Sequence, residues 1–189
     1  MNAEDLVDVR KAKVNSADSA RAIFDKARQS CELSWVNPKT VLPHLASLSG
    51  AEQLRAGANH ELPPAPIAEA LGGELLEAGE GRLIWAVEPA GWMQNAFGTV
   101  AGGIAATILD GCMGAALLTT LGPGTGLASS DLHVRFVRPI SVTGRVIAEG
   151  NVIHRSRSAA VVDGKITDET TGELLATASS SCVILRNDR

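Results

Sequence analysis

The chain has 189 residues and a mass of 19.6 kDa, and 45% of its residues are apolar while 20% are charged. Single domains commonly have about 100–150 residues, so the length predicts one folded domain with an appendage. The net charge of -4 and the absence of Tyr argue against a nucleic-acid partner, which requires a clustered basic surface or stacking side chains.

The cysteines and the N-terminus favour a reducing compartment. Cys31, Cys112 and Cys182 are widely spaced and form no CxxC pair, which predicts neither a disulfide framework nor a metal site. Met1 to Arg10 mixes acids and bases without an apolar signal-peptide core, so we expect a cytoplasmic protein. Ala101 to Leu121 has about the length of a bilayer span, but its glycines and its lack of basic flanks favour a helix buried in a folded protein over a membrane segment.

The first third of the chain is predicted to be helical. Apolar residues at helical spacing predict a helix from about Ala17 to Gln29, and Ser49-x-x-Glu52 is a capping box that opens a second helix. A proline-rich linker follows, and Pro66 to Leu71 predicts a short helix that ends at a glycine. We therefore expect residues 1–65 to form a helical extension with a linker, and residues 66–189 to form the main domain.

Strand-like patterns dominate from Gly73 onward. The order of elements is β-β-α-β-β-β-β, and the long apolar helix extends from Gly102 to about Leu121. The predicted strands are Glu74–Ala78, Arg82–Glu88, Leu127–Arg138, Gly144–Arg155, Ser158–Asp168 and Leu174–Leu185. Short links between the later strands predict antiparallel pairing, and one apolar helix is available to cover the sheet. The sequence thus predicts an α+β fold in which an antiparallel sheet wraps around one long buried helix.

Asp110 is the single charge in that apolar helix. Burying an unpaired carboxylate costs several kcal/mol, so Asp110 is expected to be paired for structural reasons or to act in catalysis. A carboxylate in a cleft can serve as a general base or a nucleophile. The sequence contains no G-x-S-x-G elbow, H-E-x-x-H motif or P-loop, so these chemistries are not indicated.

Gly102-Gly103 offers the second part of a candidate site. The first N–H groups of a helix lack intrahelical acceptors and lie at the positive end of its dipole, where an oxyanion is stabilised. Tight packing at the helix entry explains the same two glycines equally simply. Gly102 and Asp110 are eight residues apart, or about 12 Å along the axis, so one carbonyl cannot contact both in the same chain. Joint action therefore requires Gly102 of one subunit to meet Asp110 of another across a two-fold axis.

From about Pro64 to Leu185 the sequence resembles the hotdog-fold thioesterases, specifically the family of the phenylacetate-pathway acyl-CoA thioesterase (PaaI-like). The resemblance is carried by Asn95-Ala-Phe-Gly98-Thr-Val-Ala-Gly102-Gly103, by Asp110, by Ser129-Ser-Asp131-Leu132 and by Arg135-Phe-Val-Arg138-Pro139. Two later segments, Val152 to Arg157 and Thr171 to Ala176, are similar to the end of the family pattern. The family's usual His-Gly-Gly reads Ala101-Gly102-Gly103 here.

The resemblance implies a hotdog fold and hydrolysis of an acyl-CoA thioester, with no cofactor besides the CoA of the substrate. It implies that Asp110 is the general base or nucleophile and that the Gly102 N–H polarises the thioester carbonyl. It also implies that Asn95 places the carbonyl or the water and that Ser129 orients the water or Asp110. Simple alternation, however, puts Ser129 on the strand face opposite Leu132, unless a bulge redirects it.

A substrate-binding surface is expected around these residues. Gly103 and Phe97 are placed there by their proximity to the helix entry. Arg138, Arg155 and Arg157 are candidates for the CoA phosphates because a guanidinium binds phosphate in a bidentate manner, although solvated strand-edge arginines explain them as well. The N-terminal extension is expected to cover the pocket mouth or the dimer.

Three functions remain open on the sequence alone. A homo-oligomeric thioesterase, with a dimer required and a tetramer compatible, is the first. A non-catalytic acyl-CoA or acyl-ligand binding protein is the second, because the usual histidine is replaced by Ala101. A hydratase or dehydratase on the same fold ranks below both, since no histidine lies between His60 and His133.

Overall fold

The computed structural model describes residues 17–186. Among these, the residues up to Glu32 and those from Leu33 onward form two separate compact units. The first unit contains α1 (Ala17–Ala27), which ends two residues before the predicted Gln29. The expectation of a signal-free N-terminus at residues 1–10 lies outside the described part of the chain.

Three short helices open the second unit: α2 (Pro38–Leu45), α3 (Gly50–Ala58) and α4 (Pro66–Leu71). The capping box at α3 is confirmed, because the Ser49 N–H donates to the Glu52 carboxylate at 2.7 Å while the Glu52 N–H donates to Ser49 Oγ at 3.4 Å. Helix α3 contacts the strand Glu74–Gly79 and the long helix Gly102–Leu118. The division of the chain at residue 65 stays a prediction.

The remaining chain forms a seven-stranded antiparallel sheet and one long helix. The strands are β1 (Glu74–Gly79), β2 (Arg82–Val87), β3 (Thr125–Ser129), β4 (His133–Phe136), β5 (Val146–Arg155), β6 (Ala159–Asp168) and β7 (Leu174–Arg186). Their order is β1-β2-β5-β6-β7-β3, and β4 also pairs with β7. The long helix α5 (Gly102–Leu118) lies between β2 and β3 in the sequence and contacts five of the strands. The predicted α+β architecture is therefore confirmed.

One strand predicted from the sequence is divided into two strands in the structure. The sequence predicts a continuous strand from Leu127 to Arg138, whereas the structure ends β3 at Ser129 and begins β4 at His133. Both segments pair with β7, but their registers differ by one residue. Ser129, Ser130 and Asp131 are three consecutive polar residues at the break, and apolar and polar residues alternate again from Leu132 onward.

Helix α5 buries one face against the sheet. The side chains of Ile108, Leu109, Met113 and Leu117 are fully buried, and burial of each contributes about 1.5–3 kcal/mol relative to an exposed side chain. The opposite face, which includes Asp110, stays partly exposed in the single chain. The prediction of a helix covered on all sides is thus wrong for one chain, because the sheet reaches only one side of it. No described helix is long and apolar enough to cross a bilayer.

Gly150 lies within β5 and lets α5 approach that strand. A Cβ at Gly150 would lie 2.7 Å from the backbone oxygen of Cys112 and 2.9 Å from its carbonyl carbon. We expect Gly150→Ala to lower the free energy of unfolding by about 1–3 kcal/mol, because backbone atoms cannot rotate away from the added methyl group. Urea unfolding measures this loss. Gly57→Ala in α3, where a Cβ meets nothing within 4 Å, is the control and should be neutral or stabilising.

Glu149 on β5 makes the stability of the fold depend on pH in the acidic range. It accepts from Arg82 Nε at 2.8 Å and pairs with Lys165 Nζ at 3.0 Å. The hydrogen bond from Lys165, followed by that from Arg82, lowers the pKa of Glu149 from 4.5 to about 2. A depressed folded-state pKa means that this stabilisation is complete above the unfolded pKa and is lost as the pH falls from about 4.5 towards 2.

We therefore expect Glu149→Gln to flatten the pH dependence of the thermal unfolding midpoint across that window. Circular dichroism of both proteins at a series of pH values measures the slopes. Glu80→Gln, in the turn between β1 and β2, removes a carboxylate that makes no ion pair with a described residue and should follow the wild type. Parallel curves for wild type and Glu149→Gln would contradict the assignment.

Candidate active site

Asp110 has a direct partner in the same chain. Ser129 Oγ, at the end of β3, donates a hydrogen bond to Asp110 Oδ1 over 2.7 Å. Asp110 is partly exposed on the face of α5 that the sheet does not cover. One oxygen of the carboxylate therefore accepts a hydrogen bond, and the carboxylate lies at the surface of an otherwise apolar helix.

The register shift between β3 and β4 explains why Ser129 faces α5. Ser129 pairs directly with Cys182 of β7, which is buried on the core side, and directly opposed residues share a face of a sheet. Leu132 also packs against the core although it lies three residues from Ser129. One extra residue in the segment between them breaks the alternation, as in a β-bulge, and puts both side chains on the same face.

The first N–H groups of α5 are hydrogen-bond donors without an acceptor among the described residues. Ala101 is the N-cap and provides no side-chain hydrogen bond, while its carbonyl accepts from Ile104 at 2.9 Å and Ala105 at 3.2 Å. The N–H groups of Gly102 and Gly103 have no acceptor among the described residues. A Cβ at Gly103 would meet nothing within 4 Å, so the space beside Gly103 is open. This geometry suits a developing negative charge on a substrate oxygen.

Asn95 organises the loop that enters α5. Its Oδ1 accepts from the N–H of Phe97 at 2.8 Å and of Thr99 at 3.4 Å, and its Nδ2 donates to Thr99 Oγ1 at 2.9 Å. Gly98, with a φ of 79°, takes the left-handed conformation that this tight loop requires. The side chain thus has a structural role in the single chain, and one Nδ2 hydrogen remains for another acceptor.

A cavity of about 390 Å³ lies beside Gly102. It is lined by Asn95, Thr99, Val100, Gly102, Ala105, Phe136, Val137, Arg138, Pro139 and Ile140. Three residues singled out in the sequence, Asn95, Gly102 and Arg138, meet here, whereas Gly103 and Phe97 do not line the cavity. Phe97 is 91% exposed at the tip of the preceding loop.

Sequence reasoning missed Phe136 as part of this site. A Cβ at Gly102 would lie 3.0 Å from Phe136 Cζ, so the ring packs over the helix entry while remaining 60% exposed. Phe136 pairs with Ala176, a fully buried residue, and therefore points to the core side of the sheet. The alternation of β4 contained this signal, but the proximity of β4 to Gly102 depends on the tertiary fold.

The three arginines lie at two different places. Arg138 lines the cavity near Gly102, donates to the Leu174 carbonyl at 3.0 Å and pairs with Glu173 at 3.7 Å. Arg155 ends β5, in register with Ala160 of β6, which is in register with Cys182. Arg155 is thus three strand spacings, or about 14 Å, from Ser129 across the sheet. Arg157 follows in the turn to β6.

One chain therefore carries two separate groups of candidate residues on α5, the two candidate half-sites. Asp110 and Ser129 form the first, while Gly102, Asn95 and Arg138 border the cavity that forms the second, and Asp110 does not line this cavity. No three His, Cys, Asp or Glu side chains of residues 17–186 are placed to hold a metal ion.

Residues 97–175 match the Thioesterase superfamily. Over 102 residues the chain is 28% identical to human acyl-coenzyme A thioesterase 13, covering 54% of this chain and 72% of the relative. A phenylacetic acid degradation-related protein of Ralstonia eutropha superposes with a TM-score of 0.64 at 25% identity, over 68% of this chain and 97% of that protein. The sheet and helix α5 therefore form a hotdog fold, and this part of the chain is similar to PaaI-like proteins of the thioesterase superfamily.

The hotdog domain also superposes on the PaaI protein of Escherichia coli with a TM-score of 0.63 at 22% identity, over 74% of this chain and 96% of PaaI. This likeness concerns the fold. The superfamily match covers Gly102, Asp110 and Ser129, and it ends before most of β7. Residues 17–71, which contain the four short helices, lie outside the match.

Proposed function

We propose that this protein hydrolyses an acyl-CoA thioester to a free acid and CoA. The observation that carries the proposal is the hydrogen bond from Ser129 Oγ to Asp110 Oδ1, which fixes a carboxylate on the open face of the same helix that begins with the free N–H of Gly102. The superfamily match and the similarity to human acyl-coenzyme A thioesterase 13 support this class of substrate.

The two half-sites require two chains. Asp110 and Gly102 are eight residues apart, which is about 12 Å along α5, and the open faces of two antiparallel helices would bring each half-site against its complement. Asp110 and Ser129 of one subunit then face Gly102, Asn95 and the cavity of the other. Gly103 carries no side chain on the open face, and a Cβ there would meet nothing within 4 Å, so a second helix can approach closely at this point.

The chemistry follows from this pairing. Asp110 takes a proton from water, whose oxygen forms a bond to the thioester carbon, or Asp110 itself forms that bond before water releases the acid. The Gly102 N–H stabilises the negative charge on the carbonyl oxygen, the C–S bond breaks, and CoA leaves as a thiolate that takes up a proton. The Asn95 Nδ2 hydrogen that is not used in its loop is available to the carbonyl or the water.

The substrate's phosphates need cations outside the reacting centre. Arg155 lies about 14 Å from Ser129 across the sheet, and Arg157 follows it in the next turn. Arg138 instead borders the half-site of Gly102, where Glu173 and the Leu174 carbonyl already engage it. Arg155 and Arg157 therefore have more capacity for a phosphate than Arg138. Phe136, which packs against Gly102, and Phe97, in the loop that leads to α5, are exposed apolar side chains that would contact the acyl or pantetheine chain.

A panel of acyl-CoAs of different chain length, with detection of free thiol, tests the proposal. Release of thiol from at least one acyl-CoA supports hydrolysis. The second candidate is a non-catalytic acyl-CoA binding protein, favoured by Ala101, whose methyl group places no polar atom beside Gly102. Calorimetric binding without thiol release at any chain length would establish that candidate and reject hydrolysis.

A further inference from the structure

A set of hydrogen bonds, called the clasp, joins Ser130 and Asp131 of the segment between β3 and β4 to Ser180 and Ser181 of β7. The proposed reaction assigns no role to it. Strand β3 pairs Ser129 with Cys182, while β4 pairs His133 with Ser179, so the three residues 130–132 lie opposite the two residues 180–181. The extra residue must be held in place, because a slip of one residue turns a side chain to the other face of a sheet.

Asp131 holds this insertion to β7. Its Oδ1 accepts from the Ser181 N–H at 2.9 Å, in place of a backbone carbonyl of the ladder. The Ser130 N–H donates to the carbonyl of the same residue, Ser181, at 2.7 Å. The hydrogen bonds from Ser181 hold the pKa of Asp131 below its ordinary value, so the acceptor stays ionised at neutral pH.

A buried hydroxyl completes the clasp. Ser180 Oγ donates to the backbone carbonyl of Asp131 at 2.7 Å, and Ser180 is only 2% exposed. It is the one buried polar residue among those described. A buried hydroxyl is retained where its hydrogen bond satisfies a group that would otherwise be unpaired. Asp131 is thus fixed through its side chain and its main chain, two residues from Ser129.

We propose that Asp131 is a positioning residue: it fixes the bulge that aims Ser129 at Asp110. This inference rests on the proposed function, in which the Ser129–Asp110 pair takes part in hydrolysis. Without the clasp, the strand can continue its ordinary alternation, which turns the Ser129 hydroxyl away from α5 and leaves Asp110 without its partner. His133, whose Nε2 lies 3.9 Å from Asp131 Oδ1, is too distant to replace Ser181 as the donor.

Three variants separate positioning from general stability. Asp131→Ala removes the acceptor and should lower kcat by about 10–100-fold with KM nearly unchanged, because a misplacement of about 1 Å costs up to this much. Asp131→Asn keeps an oxygen that can accept from Ser181 and should restore most of the activity. Asp168→Ala is the matched control, since Asp168 Oδ1 likewise accepts from the backbone of Thr170 and Thr171 in a turn, and it should retain kcat.

A double-mutant cycle tests whether Asp131 acts through Ser129. In the Ser129→Ala background, Asp131→Ala should have no further effect on kcat, because the hydroxyl that it positions is absent. Additive losses in the cycle, or an Asp131→Ala protein with the kcat of the wild type, would overturn the proposal while leaving hydrolysis intact.

A structural measurement keeps the inference independent of turnover. In a crystal structure of Asp131→Ala we expect Ser129 Oγ to lie beyond hydrogen-bond distance from Asp110. Retention of the 2.7 Å separation in that variant would reject the positioning role. Absence of thiol release by the wild type with every acyl-CoA would reject the proposed function instead, and the crystal structure would still decide the geometry.

Discussion

Replacing Asp110 with Asn is expected to lower kcat for acyl-CoA hydrolysis by about 10²–10⁴-fold, the range for the loss of a general base. The amide has the same size and its oxygen can accept the hydrogen bond from Ser129 Oγ, so the fold and the pair geometry persist. It cannot take a proton from water or attack a thioester. Binding of acyl-CoA should therefore survive while thiol release is lost.

Steady-state assays with the best acyl-CoA of the panel, and calorimetry with the same compound, measure both quantities. Asp163→Asn is the matched control because it removes an equal charge from an exposed position on β6. It should retain wild-type kcat and KM. An Asp110→Asn protein that keeps more than about a tenth of the wild-type kcat would exclude Asp110 as base or nucleophile.

The sequence was sufficient to predict the features that depend on local chemistry. The glycines before and after the apolar run mark α5 because they permit its entry and its stop. Glu80-Gly81 forms the two-residue turn between β1 and β2, with Gly81 at a φ of 73°. Asp110 was recognisable because a lone charge in an apolar helix requires a partner, and Ser129 is that partner in the structure.

Other parts of the site depend on tertiary contacts that no local pattern encodes. The bulge after Ser129 is set by the register of two segments on β7, not by the residues between them alone. The contact of Phe136 with Gly102 joins residues 34 positions apart. Asn95 was assigned to the substrate, but the structure shows its side chain engaged with Phe97 and Thr99. The type of a residue does not indicate whether its side chain bonds to the surrounding loop or to a substrate.

Gly102 allows the backbone donor to be removed without losing the helix. Gly102 is the first residue of α5, where proline is favourable, and Ala101 has the extended conformation (φ -62°, ψ 139°) that precedes proline well. Gly102→Pro removes the N–H, whereas Gly102→Ala keeps it. Both variants place a Cβ near the exposed Phe136 ring, which can move aside. We expect kcat of Gly102→Pro to be about 10²–10³-fold below that of Gly102→Ala.

The same variants test whether two chains build each site. A heterodimer of Asp110→Asn and Gly102→Pro chains contains one site with both defects and one with none, if Gly102 of one chain meets Asp110 of the other. Isolation of the heterodimer with two affinity tags should therefore recover about half of the wild-type activity per dimer. If both groups acted within one chain, each site of this heterodimer would carry one defect and activity would stay near that of the single variants.

The reciprocal heterodimer gives the opposite outcome. When one chain carries both Asp110→Asn and Gly102→Pro and its partner is wild type, a shared site has one defect in each copy, and the heterodimer should be nearly inactive. A site contained in one chain would instead leave the wild-type copy intact, with about half of the activity. The two heterodimers contain the same two substitutions, but the expected activity is high in one arrangement and low in the other. Differences in stability between the variants cannot reproduce this pattern. Only the contribution of α5 from both chains to one site accounts for restoration in the first heterodimer and loss in the second.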